Sequence, residues 1–259
     1  MKKDRFRQTV NVVALLAMVA VNGLANALPL NEQTTGEISD RFDVYFVPAG
    51  YVFSIWGLIY LALVAFVIYQ ALPSQRENPR LRQVGYLFAL SCVANVAWLF
   101  LWHYEVFALT MVAMVALLLL LIAIYLRLGI GRTSVPSAER WLVRVPFSIY
   151  LGWVTVATIA NATSLLDYLN WSGWGISPEA WTVIMLMAAT GIAAAVAFTR
   201  GDVAYGLVIV WAFAGIAVKH AGVTVVSTTA WVMTAVVGVV TVLGAWLSQR
   251  RATSSRLAA

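Results

Sequence analysis

Aromatic and amide side chains recur at helical spacing in three apolar stretches of this chain. Residues three or four positions apart lie on one face of a helix, so each stretch presents these groups on a single side. Planar rings favour flat apolar molecules, and a few polar groups set the orientation of such a ligand. The three faces consist of Phe53, Trp56 and Tyr60; Ser91, Asn95, Trp98 and Trp102; and Tyr150, Trp153, Ala157 and Asn161.

The segment before the first of these faces joins a turn to further aromatic residues. Pro48-Ala49-Gly50 is a helix-breaking step, and an apolar run of membrane length follows it directly. Tyr51 and Phe53 then begin a group of four aromatic residues. Because leucine and valine suffice for a helix that only crosses a bilayer, this pattern indicates a site for something flat and apolar.

The same residue types also have a structural interpretation. Asparagines tie membrane helices together, each such bond contributing on the order of 1 kcal/mol, and tryptophans form belts at the membrane surface. Trp102 and Trp171 are assigned to such a belt. Trp56, Trp98 and Trp153 lie about two turns inside their stretches, so we predict that these three line a pocket.

No aspartate, glutamate, lysine or arginine lies deep in any apolar stretch, which disfavours ion-coupled transport and voltage sensing. His103 and His220 lie at the ends of their stretches and are interpreted as interfacial residues, since a metal site needs several converging ligands. The only cysteine, Cys92, lies inside a stretch. With no hydrolytic triad and no nucleotide motif, the sequence predicts neither catalytic residues nor metal ligands.

Membrane-spanning helices must position these residues. Hydrophobic residues make up 62% of the chain and charged residues 11%, and the mean hydropathy is +0.84, which is far from a soluble average. A span needs roughly 20 apolar residues. The sequence therefore predicts an all-α membrane protein with eight spans, at about 9–28, 49–71, 83–103, 107–127, 142–166, 180–199, 203–220 and 228–247.

The charges orient these spans. With the N-terminus inside, only Arg41 and Lys219 of the 17 lysines and arginines fall outside, which is the positive-inside pattern. Both termini are therefore predicted to be cytoplasmic, and the net charge of +6 needs no nucleic acid as a partner. The basic start and its apolar run resemble a signal peptide, but the run is long enough to stay as a span.

Composition divides the chain near residue 170. Residues 1–170 hold the first five spans, which are rich in aromatic residues and contain the intramembrane asparagines. Residues 171–259 hold three further spans, mostly of alanine, valine, glycine and threonine, and a short basic tail. Because small residues favour close helix packing in lipid, the second part is interpreted as packing material or as the face of a homodimer.

Three motifs in the first five spans resemble the tryptophan-rich sensory protein family (TspO), which includes the mitochondrial translocator protein. The family's second helix begins P-P-G-W-V-F-x-x-W-T-x-x-Y, its third carries N-x-x-W, and its fifth carries P-Y-L-x-W-x-x-x-A-x-x-x-N. The resemblance covers about residues 9–166. The matching residues are Pro48, Gly50, Val52, Phe53, Trp56 and Tyr60; Asn95 and Trp98; and Tyr150, Leu151, Trp153, Ala157 and Asn161.

The chain also departs from these motifs. Ala49 stands where the family has its second proline, Tyr51 where it has its first tryptophan, and Ile149 where a proline precedes the tyrosine. Tyr168 is followed by LNWSGW, without the nearby lysine or arginine of the sterol-recognition pattern, so cholesterol recognition is not supported. The chain is identified as a divergent member with a C-terminal extension of three spans.

The resemblance implies a five-helix bundle with a pocket enclosed by helices one, two, three and five, beneath the loop after helix one. Family members bind porphyrins and other flat apolar ligands, and some bacterial members promote light-dependent porphyrin breakdown. The implied pocket aromatics are Trp56 and Trp153, the polar contacts Asn95 and Asn161, and the entrance residues Tyr51 and Phe53. The whole predicted site is Tyr51, Phe53, Trp56, Tyr60, Asn95, Trp98, Tyr150, Trp153, Ala157 and Asn161.

Three hypotheses follow for the function. The first is a membrane sensor or regulator that binds a tetrapyrrole-like ligand, a porphyrin or a haem-like molecule, without requiring a cofactor. The second is a transporter of a small apolar metabolite, and the third is an enzyme that degrades porphyrin in the light. Only the third is enzymatic, and it would use the photochemistry of the ligand because no conventional catalytic set is present. The expected location is the inner membrane of a bacterium, with the lipid bilayer as surroundings.

Overall fold

The computed structural model describes residues 2–28 and 30–257, with the side chains of 26 and 252–257 excepted, and it consists of helices and their connections. No β-strand occurs in these residues, so the predicted all-α fold is confirmed. We number the eight long helices in chain order. They are α1 Lys2–Ala27, α2 Ile55–Ala71, α3 Leu87–His103, α4 Phe107–Arg127, α5 Val145–Tyr168, α6 Pro178–Arg200, α7 Val203–Lys219 and α8 Thr224–Leu257.

Most of these helices are long and apolar enough to cross a membrane. Within the described residues, six segments meet this condition, and they overlap α1, α2, α4, α5, α6 and α8. The helices α3 and α7 are apolar but 17 residues long, or about 25 Å, against about 30 Å of hydrocarbon. A multi-pass helical membrane protein is therefore confirmed, while eight spans with cytoplasmic termini stay a prediction.

One long helix begins later than its predicted span because a glycine interrupts the apolar run. The predicted third span begins at residue 83, but Gly85 has a φ of 56° and separates the short helix Pro79–Val84 from α3. The predicted second span, 49–71, agrees with the apolar helical segment Gly50–Ala71, in which Gly50–Ser54 form a 3-10 helix and the α-helix begins at Ile55. The correction at Gly85 reflects a backbone requirement that hydropathy does not record.

The chain folds into two compact units. The five-helix unit comprises Met1–Asp43, Ile55–Leu128 and Val135–Trp171, and it contains α1 to α5. The three-helix unit comprises Val44–Ser54, Gly129–Ser134 and Ser172–Ala259, and it contains α6 to α8. Tyr51 and Phe53 thus lie in the three-helix unit, whereas the other predicted site residues lie in the five-helix unit.

The helices of the five-helix unit form a closed ring. α1 packs against α2 and α3, α4 packs against α3 and α5, and α5 packs against α2. Phe66 of α2, Phe88 of α3 and Phe147 of α5 meet inside the ring, with centroids 5.0, 4.8 and 5.9 Å apart. These buried rings fill the interior at one level and fix the spacing of the three helices.

Glycines allow close approach among the helices of the three-helix unit. A Cβ atom on Gly244 of α8 would lie 2.4 Å from the carbonyl oxygen of Ala197 in α6. One on Gly206 of α7 would lie 2.1 Å from Oγ1 of Thr241 in α8. Larger residues at these points would push the helices apart. Close packing is therefore observed within this unit, and a homodimer face stays a prediction.

Candidate functional site

A chain of buried hydrogen bonds joins α1, α3 and α5 inside the ring. Asn22 donates from Nδ2 to Asn95 Oδ1 at 2.8 Å, and Asn95 donates from Nδ2 to the hydroxyl oxygen of Tyr150 at 3.3 Å. All three side chains are at most 7% exposed. An amide that faced lipid would lose its hydrogen bonds, and Asn95 accordingly points inward, as predicted.

Four aromatic residues of α2 and α5 form one group, which we call the aromatic cluster. Trp56 stacks on Tyr60 with ring centroids 5.5 Å apart, and it meets Tyr150 and Trp153 edge to face at 6.0 and 6.2 Å. A spacing of four residues on α2 and of three on α5 places the two rings of each helix on one face. The two helices pack against each other, which brings these faces together. Tyr150 and Trp153 are almost fully buried, so the ring surface that stays accessible belongs to the half-buried Trp56 and Tyr60.

A second group of contacts joins α3, α4 and α5. Trp98 donates from Nε1 to Asn161 Oδ1 at 2.7 Å, and Asn161 donates from Nδ2 to Thr110 Oγ1 at 3.0 Å. Trp98 also stacks on Trp102 at 5.5 Å. Ala157, one turn before Asn161, is half-buried. Sequence reasoning missed Thr110, because a threonine in the first turn of an apolar helix carries no distinguishing signal.

Trp102 is not a membrane-belt residue. Its side chain is 4% exposed, packs with Ile38 and Phe107, and donates from Nε1 to the carbonyl oxygen of Thr35 at 3.2 Å. The prediction of a belt position was wrong because a tryptophan near a helix end can face either lipid or a loop that folds back over the bundle. Trp102 faces the loop after α1, which contains Thr35 and Ile38.

The first half of the loop after α1 covers this part of the five-helix unit. It contains a short helix, Thr35–Ser39, whose Ile38 is fully buried in the cluster around Trp102. The helix begins with a capping box, in which Glu37 accepts hydrogen bonds from the backbone N–H and the hydroxyl of Thr34. These bonds lower the pKa of the Glu37 carboxyl. The loop is therefore ordered by specific contacts.

The second half of the same loop belongs to the three-helix unit, where it lies along α7. Trp211 donates from Nε1 to the carbonyl oxygen of Val52 at 3.1 Å, and Phe46 meets Phe213 edge to face at 6.4 Å. His220, just after α7, donates from Nε2 to the carbonyl oxygen of Val47 at 3.3 Å. The segment Val44–Ser54 is thus held by its backbone and by its side chains.

The two predicted entrance residues lie in this segment. Tyr51 is 50% exposed and meets Trp211 edge to face at 5.5 Å, and Phe53 is half-buried. The sequence did not predict that Trp211 and His220 bond to the backbone of this segment. His220 was interpreted only as an interfacial residue. Its position at the end of an apolar run gave no sign of that partner.

The chemistry that these residues offer is non-covalent. The five-helix unit brings aromatic faces together with neutral amides and hydroxyls from α1, α3, α4 and α5. Among the described residues, no group of three or more histidine, cysteine, aspartate and glutamate side chains is placed to hold a metal ion. A lining of aromatic rings with few polar groups is typical of sites for apolar ligands.

Replacing Asn161 by leucine should destabilise the five-helix unit by about 1–2 kcal/mol, because the indole N–H of Trp98 loses its acceptor and the Thr110 hydroxyl loses a donor. The measurement is the thermal unfolding midpoint in detergent. Thr158→Val is the control on the same helix, since the Thr158 hydroxyl donates to the carbonyl oxygen of Val154 one turn away in that helix. Equal midpoints for both variants would contradict the bridging role of Asn161.

Comparison with protein families gives a match to the model of the TSPO-like protein family over residues 8–243. The match includes residues of both units and extends well beyond the five spans that carry the motifs. Neither curated proteins nor solved structures give a significant match. The apolar helices and the family agree on a multi-pass membrane protein of the sensor or transporter type. Since the match covers most of the chain, this protein belongs to the TSPO-like family.

Proposed function

We propose that this protein is a membrane sensor or regulator that binds a flat apolar ligand of the porphyrin type in the five-helix unit. The observation that carries the proposal is the aromatic cluster beside a buried amide chain. Trp56 contacts both Tyr150 and Trp153, and Asn95 donates to the hydroxyl of Tyr150. Rings and amides therefore converge on one region of the bundle.

Ring geometry supports a planar ligand. Trp56 and Tyr60 stack at an interplanar angle of 22°, so their rings are nearly parallel and a further flat ring can stack on an outer face of the pair. Stacking of another ring on such a surface contributes about 0.5–1.5 kcal/mol beyond the area that it buries. Porphyrin is a large flat apolar ring, and it fits the chemistry of this surface better than a compact or charged metabolite.

Neutral polar groups support the apolar character of the ligand. Asn22, Asn95 and Asn161 supply amides, and Tyr150 supplies a hydroxyl, while the predicted spans hold no charged group at depth. A few such groups set the orientation of a ligand without requiring a charge on it. The proposed location is the inner membrane of a bacterium, with both termini in the cytoplasm.

Titration of the purified protein with protoporphyrin IX tests the proposal. We expect saturable quenching of tryptophan fluorescence and a shift of the Soret band at about one ligand per chain. Absence of saturable binding would refute the proposed function. Two further measurements separate the other hypotheses: product analysis after illumination of the complex tests porphyrin breakdown, and ligand flux across proteoliposomes tests transport.

A further inference from the structure

The connection between α2 and α3 lies at one end of the five-helix unit. We call this connection, residues 72–86, the strap. We call this end the inner end, because the charge pattern predicts that it faces the cytoplasm. α1, α3 and α5 begin at the inner end, and α2 and α4 end there. The strap is continuous with α2 and α3, so its bonds to the other three helices decide whether it closes the ring.

Hydrogen bonds fasten the strap to α1. Arg7 donates from Nη2 to the carbonyl oxygen of Arg76 at 3.0 Å. One turn further along α1, Asn11 donates from Nδ2 to the carbonyl oxygen of Gly85 at 3.3 Å. Arg76 lies in the first half of the strap and Gly85 near its end, so both halves are held to the first helix.

Further contacts fasten the strap on the side of α4 and α5. At the end of α4, Arg127 donates from Nη1 to the carbonyl oxygen of Gln83 at 3.0 Å. Glu139, shortly before α5, accepts from Nε and Nη2 of Arg80, the latter at 2.9 Å. It also accepts from Nδ2 of Asn78 at 3.4 Å. The strap is therefore connected to all five helices of the unit, and it lies across the inner end of the ring.

The ion pair of Arg80 and Glu139 acts as the latch of the strap. The Glu139 side chain is 1% exposed, whereas that of Arg80 is 36% exposed. A buried carboxylate that loses its cation becomes an uncompensated charge, so breaking such a pair is strongly unfavourable. Arg140–Arg144 form a π-helix directly after Glu139, a rare backbone form that occurs frequently at functional sites.

A second barrier lies behind the strap. Phe66, Phe88 and Phe147 form a layer of edge-to-face rings, and each is at most 1% exposed. Phe66 lies in the last turns of α2, and Phe88 and Phe147 lie in the first turns of α3 and α5. Tyr150 of the aromatic cluster is about one turn further along α5 than Phe147. The phenylalanine layer therefore separates the strap from the aromatic cluster.

We propose that the strap and the phenylalanine layer close the inner end of the five-helix unit, so that no path leads through that end to the aromatic cluster. For the ligand, this inference rests on the proposed function. A transporter opens its site alternately to the two sides of the membrane. Here both barriers would have to move before the site opened at the inner end. A ligand site without a path through this end suits a sensor rather than a transporter.

Cysteine labelling in lipid nanodiscs tests each barrier by itself. Val84 of the strap is 1% exposed, and the natural Cys92, about one turn beyond Phe88 in α3, is 2% exposed. Val84→Cys, made together with Cys92→Ser, reports release of the strap. Cys92 in the otherwise unaltered chain reports passage of the phenylalanine layer. The reagent is a maleimide that carries a sulfonate group, and the readout is the rate of labelling.

Glu139→Gln should raise the labelling rate of the cysteine at position 84 about tenfold, less than for a fully buried pair because Arg80 is partly exposed. The rate at Cys92 should stay within about threefold of the parent rate, because the phenylalanine layer remains. Glu105→Gln is the matched control. Glu105 pairs with Arg41 at 2.9 Å at the other end of the unit, so neither rate should change.

An unchanged rate at position 84 in Glu139→Gln would overturn the latch, and equal acceleration at both cysteines would overturn the second barrier. A double-mutant cycle controls for general damage. Arg80→Gln together with Glu139→Gln should label no faster than Glu139→Gln alone, because both remove the same ion pair. Additive acceleration would mean that the two side chains do not act as a latch. Absence of saturable binding of protoporphyrin IX by the unaltered protein would instead remove the proposed function and leave the closure standing.

Discussion

Replacing Trp56 and Trp153 together by leucine should weaken protoporphyrin IX binding by about a hundredfold, or about 3 kcal/mol. The two indoles meet edge to face at 6.2 Å, and Trp56 also stacks on Tyr60. Leucine keeps an apolar side chain but removes the accessible aromatic face of Trp56 and the buried indole of Trp153 against which Trp56 packs. An aromatic contact contributes about 0.5–1.5 kcal/mol beyond the area that it buries. The measurement is the Kd from the shift of the Soret band, which does not depend on tryptophan fluorescence.

The matched control uses two tryptophans of the three-helix unit. Trp231 and Trp246 of α8 are 50% and 45% exposed, so their replacement by leucine removes the same number of indoles outside the aromatic cluster. This control should bind protoporphyrin IX with the Kd of the parent protein. Equal weakening in both double variants would mean that the ligand adsorbs to tryptophan at large, and the site in the five-helix unit would then be wrong.

Gly244→Ala should lower the stability of the three-helix unit by about 1–3 kcal/mol, which is the usual effect of overpacking. The added methyl group would lie 2.4 Å from the carbonyl oxygen and 2.6 Å from the carbonyl carbon of Ala197, both of which are backbone atoms that cannot turn away. α8 would therefore have to move away from α6. Thermal unfolding in detergent should show a midpoint several degrees lower, at about 2–4 °C per kcal/mol.

Gly238→Ala on the same helix is the control for this experiment, because a Cβ there meets nothing within 4 Å. Alanine favours helix formation over glycine by up to about 1 kcal/mol, so this variant should keep or slightly raise the unfolding midpoint. If Gly244→Ala behaved like Gly238→Ala, close packing between α6 and α8 would not be the role of Gly244.

Periodicity and hydropathy predicted much of the five-helix unit because both follow from local rules. The face that carries Asn95 could be identified because an amide in a membrane helix must turn away from lipid, and the structure has it bonded inside the ring. The same rule applies to Asn161, whose partners are Trp98 and Thr110. Spacing alone could not supply those partners, since the pairing of helices depends on contacts far apart in the chain.

The sequence by itself determined the membrane class, the apolar helices, the family and the inward faces, because each follows from residues within a few turns of one another. Only the tertiary structure decided where the segment Val44–Ser54 lies. Its motif predicts the entrance of a site made by the first five helices, yet its backbone bonds to Trp211, Gly215 and His220, at least 159 residues further along the chain. Such a contact depends on the shape of a distant helix, above all on the missing side chain of Gly215, and no local pattern contains that information.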